Sequence, residues 1–136
     1  MNTVIYATKT GHSRKIAMAI AGELNCSAQN ITENPNLSQV DVLFLVGGIY
    51  GNQSLPELLK YVEGLTPQNV KKVVLITSSC SKTGKQTEVR KVLERKGILV
   101  DEEEFTCQGS FLVFGMGHPN KKEIGQAVDF ASGKTC

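Results

Sequence analysis

The first polar knot of the chain, Thr8–Ser13 ("TKTGHS"), lies between an apolar burst and a helix-like pattern. Thr8, Thr10 and Ser13 supply hydroxyl donors, and Gly11 permits a tight backbone path. A helix starting there adds unpaired N–H groups and the positive end of its dipole. That combination suits a dianionic phosphate monoester. A plainer reading stands beside it, in which Ser13 or Thr10 simply caps the helix. No G-x-x-x-x-G-K-[ST] run makes this a Walker loop, and no G-x-G-x-x-G marks a dinucleotide turn. "YATKT" also lacks the acidic pair that a phospho-acceptor receiver would carry at the end of its first strand.

The elements around that knot follow from hydrophobic spacing. Asn2–Ala7 is a short apolar run of the buried-strand type. Ile16, Ala17, Ile20, Ala21 and Leu24 then recur at helical intervals within Ser13–Leu24. Ser27–Thr32 is a half-polar strand suited to a sheet edge, while Val40–Gly48 is continuously apolar, as a central strand should be. Ser54–Glu63 places Leu55, Leu58, Leu59 and Val62 on one helical face. Lys71–Ser78 is another buried strand, followed by a charged helix, Lys85–Lys96, with Val89, Val92 and Leu93 inward and Gly97 as its stop. A last strand, whole or split into Ile98–Val100 and Phe105–Phe114, leads to a closing helix from Pro119 to Ala131.

This alternation predicts one α/β domain over residues 1–136, a doubly wound five-stranded parallel sheet with helices on both faces. Right-handed crossovers then gather the loops after strands one, three and four at one end, where ligands of such sheets bind. Those loops are Thr8–Ser13, Ile49–Gln53 and Ser78–Gly84.

The formal net charge of +2 is too small to argue for nucleic acid. Cys26, Cys80, Cys107 and Cys136 form no C-x-x-C pair, which disfavours a zinc knuckle or a thioredoxin-type site. With no signal-peptide pattern and no apolar run of membrane-span length, the expectation is a reduced, cytoplasmic, monomeric protein. Cys80 stands apart from the other cysteines because it falls in a candidate loop.

The T-x-T-G-x-S run between first strand and first helix resembles the FMN-phosphate loop of the flavodoxin family, [ST]-x-T-G-x-[ST]. "VGGIYGNQSLPELLKYVEGL" is similar to the second flavin loop of small members, and length and element order agree along the whole chain. Without a long insertion in the last strand, the chain looks like the short-chain type. The resemblance implies strand order 2-1-3-4-5, non-covalent FMN and one- or two-electron transfer. Residue by residue, it implies that Thr8, Lys9, Thr10, Gly11, His12 and Ser13 surround the phosphate, Lys9 and His12 through their N–H groups. Gly48, Ile49, Tyr50, Gly51 and Asn52 would pack the isoalloxazine ring, with Tyr50 as an aromatic wall or else a partly buried strand-end tyrosine. A glycine peptide turned toward flavin N5 would separate the two one-electron steps.

The third loop departs from the family pattern. "TSSCSKTGKQTE" offers neither an aromatic nor an acidic cluster for the second flavin face. Ser78, Ser79, Cys80, Ser81 and Gly84 would line the pyrimidine edge; alternatively the segment is a turn whose Thr83 or Thr87 caps the next helix. Phe111, Leu112 and Phe114 read as core, and Gly115, Gly117 and His118 as a rim or the lead into the last helix. Asp101–Glu104 ("DEEE") reads as a solvated surface stretch. Flavodoxins are strongly acidic, whereas this chain has a sequence pI near 8.3, so their usual partner electrostatics do not transfer.

An electron carrier working between a reductase and an acceptor is the favoured function. The rivals are an FMN-dependent reductase or oxidase of quinone- or porphyrinogen-like substrates and a flavin-free regulatory domain of the same fold. Turnover by the isolated protein separates the first rival; failure to take up FMN marks the second.

Overall fold

The computed structural model describes residues 2–8, 11–50, 53–79, 86–108 and 121–134. Along the chain run β1 (Asn2–Ala7), α1 (His12–Leu24), β2 (Ala28–Asn30), a 3₁₀ turn (Ile31–Glu33), β3 (Val40–Tyr50) and β4 (Gln53–Ser54). There follow α2 (Pro56–Glu63), β5 (Val70–Ser79), α3 (Thr87–Arg95), β6 (Leu99–Val100), β7 (Phe105–Gln108) and α4 (Lys121–Ser132).

β1 pairs in parallel with β2 on one side and β3 on the other, β5 lies beyond β3, and β6 and β7 both pair in parallel with β5. The last strand is therefore split, and with β6 and β7 counted as one strand the parallel order is β2-β1-β3-β5-β6/β7, the expected 2-1-3-4-5 once the short antiparallel β4 is set aside. One small departure is β4, whose Gln53 and Ser54 pair antiparallel with Tyr50 and Ile49. The predicted second helix accordingly starts two residues late, with Pro56 in its first turn and Ser54 drawn into the sheet.

Alternation along the strands sends side chains to two cores. Ile5, Leu43, Leu45, Val73 and Leu75 meet Leu58 and Val62 of α2 and Val89 and Leu93 of α3. Val4, Tyr6, Val42, Phe44, Val46, Val74 and Ile76 meet Ile16, Ala17 and Ile20 of α1 and Ala127 and Ala131 of α4. Central strands buried on both faces need apolar residues at every position, which is why their sequences run without polar breaks. The half-polar edge strand shortens to β2, because the Asn30 side chain accepts the Thr32 N–H at 3.1 Å and turns the chain into the 3₁₀ turn.

The acidic run at the split is solvated only in its middle, at Glu102 and Glu103. Asp101 and Glu104 side chains are only 10% and 6% exposed. Asp101 meets Lys72 at 2.9 Å and Lys134 at 3.2 Å, while Arg90 Nε donates to Glu104 at 3.0 Å and its other arm donates to the Asp101 carbonyl at 2.7 Å. Burial opposes the Asp101 charge, but Lys72, the Glu103 N–H and Lys134 outweigh it and hold the carboxyl at about 2. These pairs tie β5, α3 and α4 to the interruption in the edge strand. A two-residue strand such as β6 contributes too few backbone bonds to hold that edge unaided.

Candidate functional site

Parallel pairing levels the strand ends: Ala7 lies beside Gly47, Gly47 beside Thr77, Gly48 beside Ser78 and Ile49 beside Ser79. Ser78 and Ser79 in turn lie beside Cys107 and Gln108 of β7. The predicted loops therefore leave the sheet from one end. Among the residues singled out from the sequence, Thr8, Gly11, His12, Ser13, Gly48, Ile49, Tyr50, Ser78 and Ser79 are brought to that end. Lys9, Thr10, Gly51, Asn52, Cys80, Ser81 and Gly84 lie outside the described residues, as do Thr83, Phe111, Leu112, Phe114, Gly115, Gly117, His118 and Pro119.

The first loop is built by its own backbone. The Gly11 N–H donates to Thr8 Oγ1 at 2.7 Å, closing the turn. Gly11 has φ 88°, a left-handed conformation that a side chain would strain, and it is the residue from which α1 starts. Its carbonyl accepts the Lys15 N–H at 3.2 Å, the first bond of the helical ladder. Among the described residues no side chain caps the first turn, and no acidic residue stands in it. Ser13, one of the two residues that the plainer reading makes a cap, is fully buried and its hydroxyl has no partner. A helix start in this state presents N–H groups and a buried hydroxyl without a protein acceptor, the donor set a phosphate monoester requires.

Among the described residues, two further buried side-chain atoms without a partner, Ser54 Oγ and Gln86 Oε1, lie at the same end. An orphan polar atom in the interior costs free energy unless something answers it. Ser54 follows directly from the β3–β4 reversal, and its N–H donates to Glu88 Oε1 of α3 at 3.0 Å. Gln86, wholly buried just ahead of α3, donates through Nε2 to the Ile76 carbonyl at 2.8 Å, the Leu45 carbonyl at 3.3 Å and Thr77 Oγ1 at 3.4 Å. Three acceptors around one nitrogen fix the amide orientation and leave Oε1 facing Gly47. A Cβ at Gly47 would come within 2.8 Å of both Gln86 Oε1 and Leu58 Cδ2, so glycine is required there for close packing.

Sequence reasoning missed Gln86, Ser54, Glu88 and Glu104. The Gln86 N–H donates to Glu104 Oε1 at 3.3 Å, so the third loop rejoins the fold at a residue clamped from both the sheet and the split strand. Thr87, offered as a cap, is the first residue of α3, whose start has no side-chain cap bond. Polar residues at the head of a charged helix give no sequence signal of burial, because their partners are remote along the chain.

A separate hollow of about 730 Å³ runs between the Ile31–Leu37 connection and α2. Tyr61 forms part of its wall; burial pushes its hydroxyl up to about 12, and the hydroxyl donates to the Pro35 carbonyl at 2.7 Å. None of the three orphan atoms lines this hollow. Among the described residues no group of His, Cys, Asp and Glu is placed to hold a metal ion, and no helix is long and apolar enough to cross a membrane.

Comparison with known proteins bears on this geometry. A family model described as "Flavodoxin domain" matches residues 3–114. No curated protein matches the sequence. Among solved structures, oxidised flavodoxin 2 from Bacillus cereus superposes with a TM-score of 0.71 at 16% identity, covering 96% of this chain and 94% of that one. The Fusobacterium nucleatum flavodoxin bound to flavin mononucleotide gives 0.69 at 17%, covering 97% and 95%. A short-chain flavodoxin associated with a bacterial microcompartment gives 0.69 at 14%, covering 98% and 95%.

Proposed function

The chain belongs to the flavodoxin family, and from that membership we propose that it binds FMN without a covalent link and carries electrons between a reductase and an acceptor. The observation that supports this most directly is the fully buried, unpartnered Ser13 hydroxyl at an uncapped helix start. It fits a phosphate and no other feature of the described residues answers it.

Bound FMN would supply the redox chemistry, accepting and returning one or two electrons at its ring. The protein's work is to hold and orient it. Thr8 Oγ1 fixes the Gly11 N–H, the left-handed Gly11 opens α1, and the first turn directs its N–H groups and the Ser13 hydroxyl to the phosphate oxygens. Lys9, Thr10 and His12 would complete that cradle. At the ring end, Gly48, Ile49, Tyr50, Gly51 and Asn52 would pack one side, and Ser78, Ser79, Cys80, Ser81 and Gly84 would line the pyrimidine edge. Gln86 and Glu88 keep those two segments in place, the former by bonding β3 and β5 carbonyls, the latter by holding the Ser54 N–H. Such preorganisation lets the ring change charge with little movement of its surroundings. The chain acts as one domain and as a monomer in this reading.

The test is the visible spectrum of the purified protein after incubation with FMN and removal of excess. One flavin per chain, released by denaturation as FMN, is expected. A colourless protein that takes up no FMN refutes the proposal.

A further inference from the structure

Resting on the reading that the site holds FMN, we infer that Glu88, on the surface of α3, is a positioning residue for the isoalloxazine ring and acts through the backbone of Ser54. The parallel ladder ends before the residues that would pack the ring. β3 is paired with β1 as far as Gly47 and with β5 as far as Ile49. Tyr50 lies one residue beyond, and its one strand partner among the described residues is Gln53 of β4. β4 is two residues long, and a reversal of two pairs has too few backbone bonds to hold its own position. Whatever fixes β4 therefore fixes where the chain leaves the sheet at Tyr50.

Glu88 does this from another element. Ser54 is buried, and its N–H turns away from β3 and donates to Glu88 Oε1 at 3.0 Å, across 34 residues of sequence. α3 starts without a side-chain cap bond, and a carboxylate in its first turn would ordinarily answer that turn's own N–H groups. Here the Gln86 N–H at the head of the helix is taken by Glu104 at 3.3 Å. Two carboxylates from different elements thus divide the work: Glu104 holds the helix start, and Glu88 reaches outward to β4.

The platform that carries Glu88 is anchored. Gln86 Nε2 donates to the Ile76 carbonyl at 2.8 Å and the Leu45 carbonyl at 3.3 Å, so the head of α3 is fixed to β5 and β3. The Gln86 carbonyl opens the helical ladder by accepting the Arg90 N–H at 3.0 Å, and Val89, next to Glu88, is fully buried. A side chain on such a platform sets the spacing between α3 and β4 by its own length. Glu88 is exposed, so its charge is screened by water and salt, whereas its bond to the part-buried Ser54 N–H is short-range and directional. Its role is that of an acceptor held at a fixed reach. Ser13 addresses the phosphate; Glu88 addresses the ring, through the chain that would pack it.

The experiment uses the full chain with FMN and with riboflavin, which carries the ring and lacks the phosphate. Glu88→Gln keeps the length and an acceptor oxygen and drops the charge. Glu88→Asp keeps the charge and withdraws the acceptor by one methylene. Both residue types suit a first helical turn, and far-UV circular dichroism of each apoprotein checks the fold. Affinity is read from quenching of flavin fluorescence, and the surroundings of the ring from visible circular dichroism of the bound flavin. Glu88→Gln should retain most of the wild-type affinity and the wild-type visible signal. Glu88→Asp should weaken FMN and riboflavin alike by about tenfold, the contribution of one hydrogen bond, and change the visible signal. Equal behaviour of the two variants overturns the inference, as does a loss confined to FMN. A Glu88→Asp protein that is less stable to urea yet keeps both affinities and the visible signal overturns it too, since Glu88 would then be a structural residue alone. Failure of FMN to bind the wild-type protein at all is a separate outcome, read from the flavin spectrum, and refutes the function itself.

Discussion

Ser13→Ala should move stability and affinity in opposite directions. In the apoprotein the serine hydroxyl is buried without a partner at the head of α1. A buried hydroxyl left unmade costs about 1–3 kcal/mol, and alanine exceeds serine in helix propensity by about 0.5 kcal/mol. Against this stands the loss of one buried atom's contacts, smaller than the roughly 1 kcal/mol of a deleted methylene. The net expectation is an apoprotein more stable by about 1 kcal/mol, read from urea unfolding followed by far-UV circular dichroism. FMN binding should change the other way. A hydrogen bond to a charged group contributes about 1.5–3 kcal/mol, so affinity should fall by roughly 10- to 150-fold. Quenching of flavin fluorescence measures this, and riboflavin, which lacks the phosphate, serves as the internal control with unchanged affinity. An apoprotein destabilised by about 1 kcal/mol or more would refute the reasoning, because Ser13 would then be an ordinary structural residue. Equal losses for FMN and riboflavin would refute it too, since the hydroxyl would not be addressing the phosphate.

Gly47→Ala should destabilise by about 1–2 kcal/mol: overpacking against Gln86 Oε1 and Leu58 Cδ2, each 2.8 Å from the new Cβ, outweighs the roughly 0.5–1 kcal/mol gained by replacing glycine in a strand. A urea midpoint equal to wild type would show that Gln86 is free to move. Asp101 gives a pH signature, because its folded value of about 2 lies below the usual carboxylate value of about 3.9. Its contribution, about 2 kcal/mol, is present above the unfolded value and is lost as pH falls from about 4 through 2; Asp101→Asn should remove that part of the acid profile.

How much of this was legible beforehand differs by element. Val40–Gly48 and Lys71–Ser78 announce buried central strands because both their faces meet helices, and burial on both faces leaves a continuous apolar record in the sequence. Val89, Val92 and Leu93 likewise reveal the inner face of α3 by spacing alone. The Thr8–Ser13 turn was readable for a similar reason: a strand, a short hydroxyl-rich turn with one left-handed glycine and a helix are contiguous, so their geometry is local.

Partners remote in sequence were not legible. Nothing in "DEEE" distinguishes Asp101 and Glu104, buried against Lys72, Lys134 and Arg90, from Glu102 on the surface. Gln86 reads as one more polar residue ahead of a charged helix until the fold closes it over Gly47 and the carbonyls of Leu45 and Ile76. The sequence by itself determined the alternation of elements, the two apolar faces of the sheet and the local Gly11 turn into α1, since each is encoded by spacing within a few residues. Only the tertiary structure decided that Ser13 is left without a partner among the described residues and that the last strand is split around a part-buried ion cluster. Each of these depends on which distant groups share a volume, and burial and electrostatics act through space rather than along the chain.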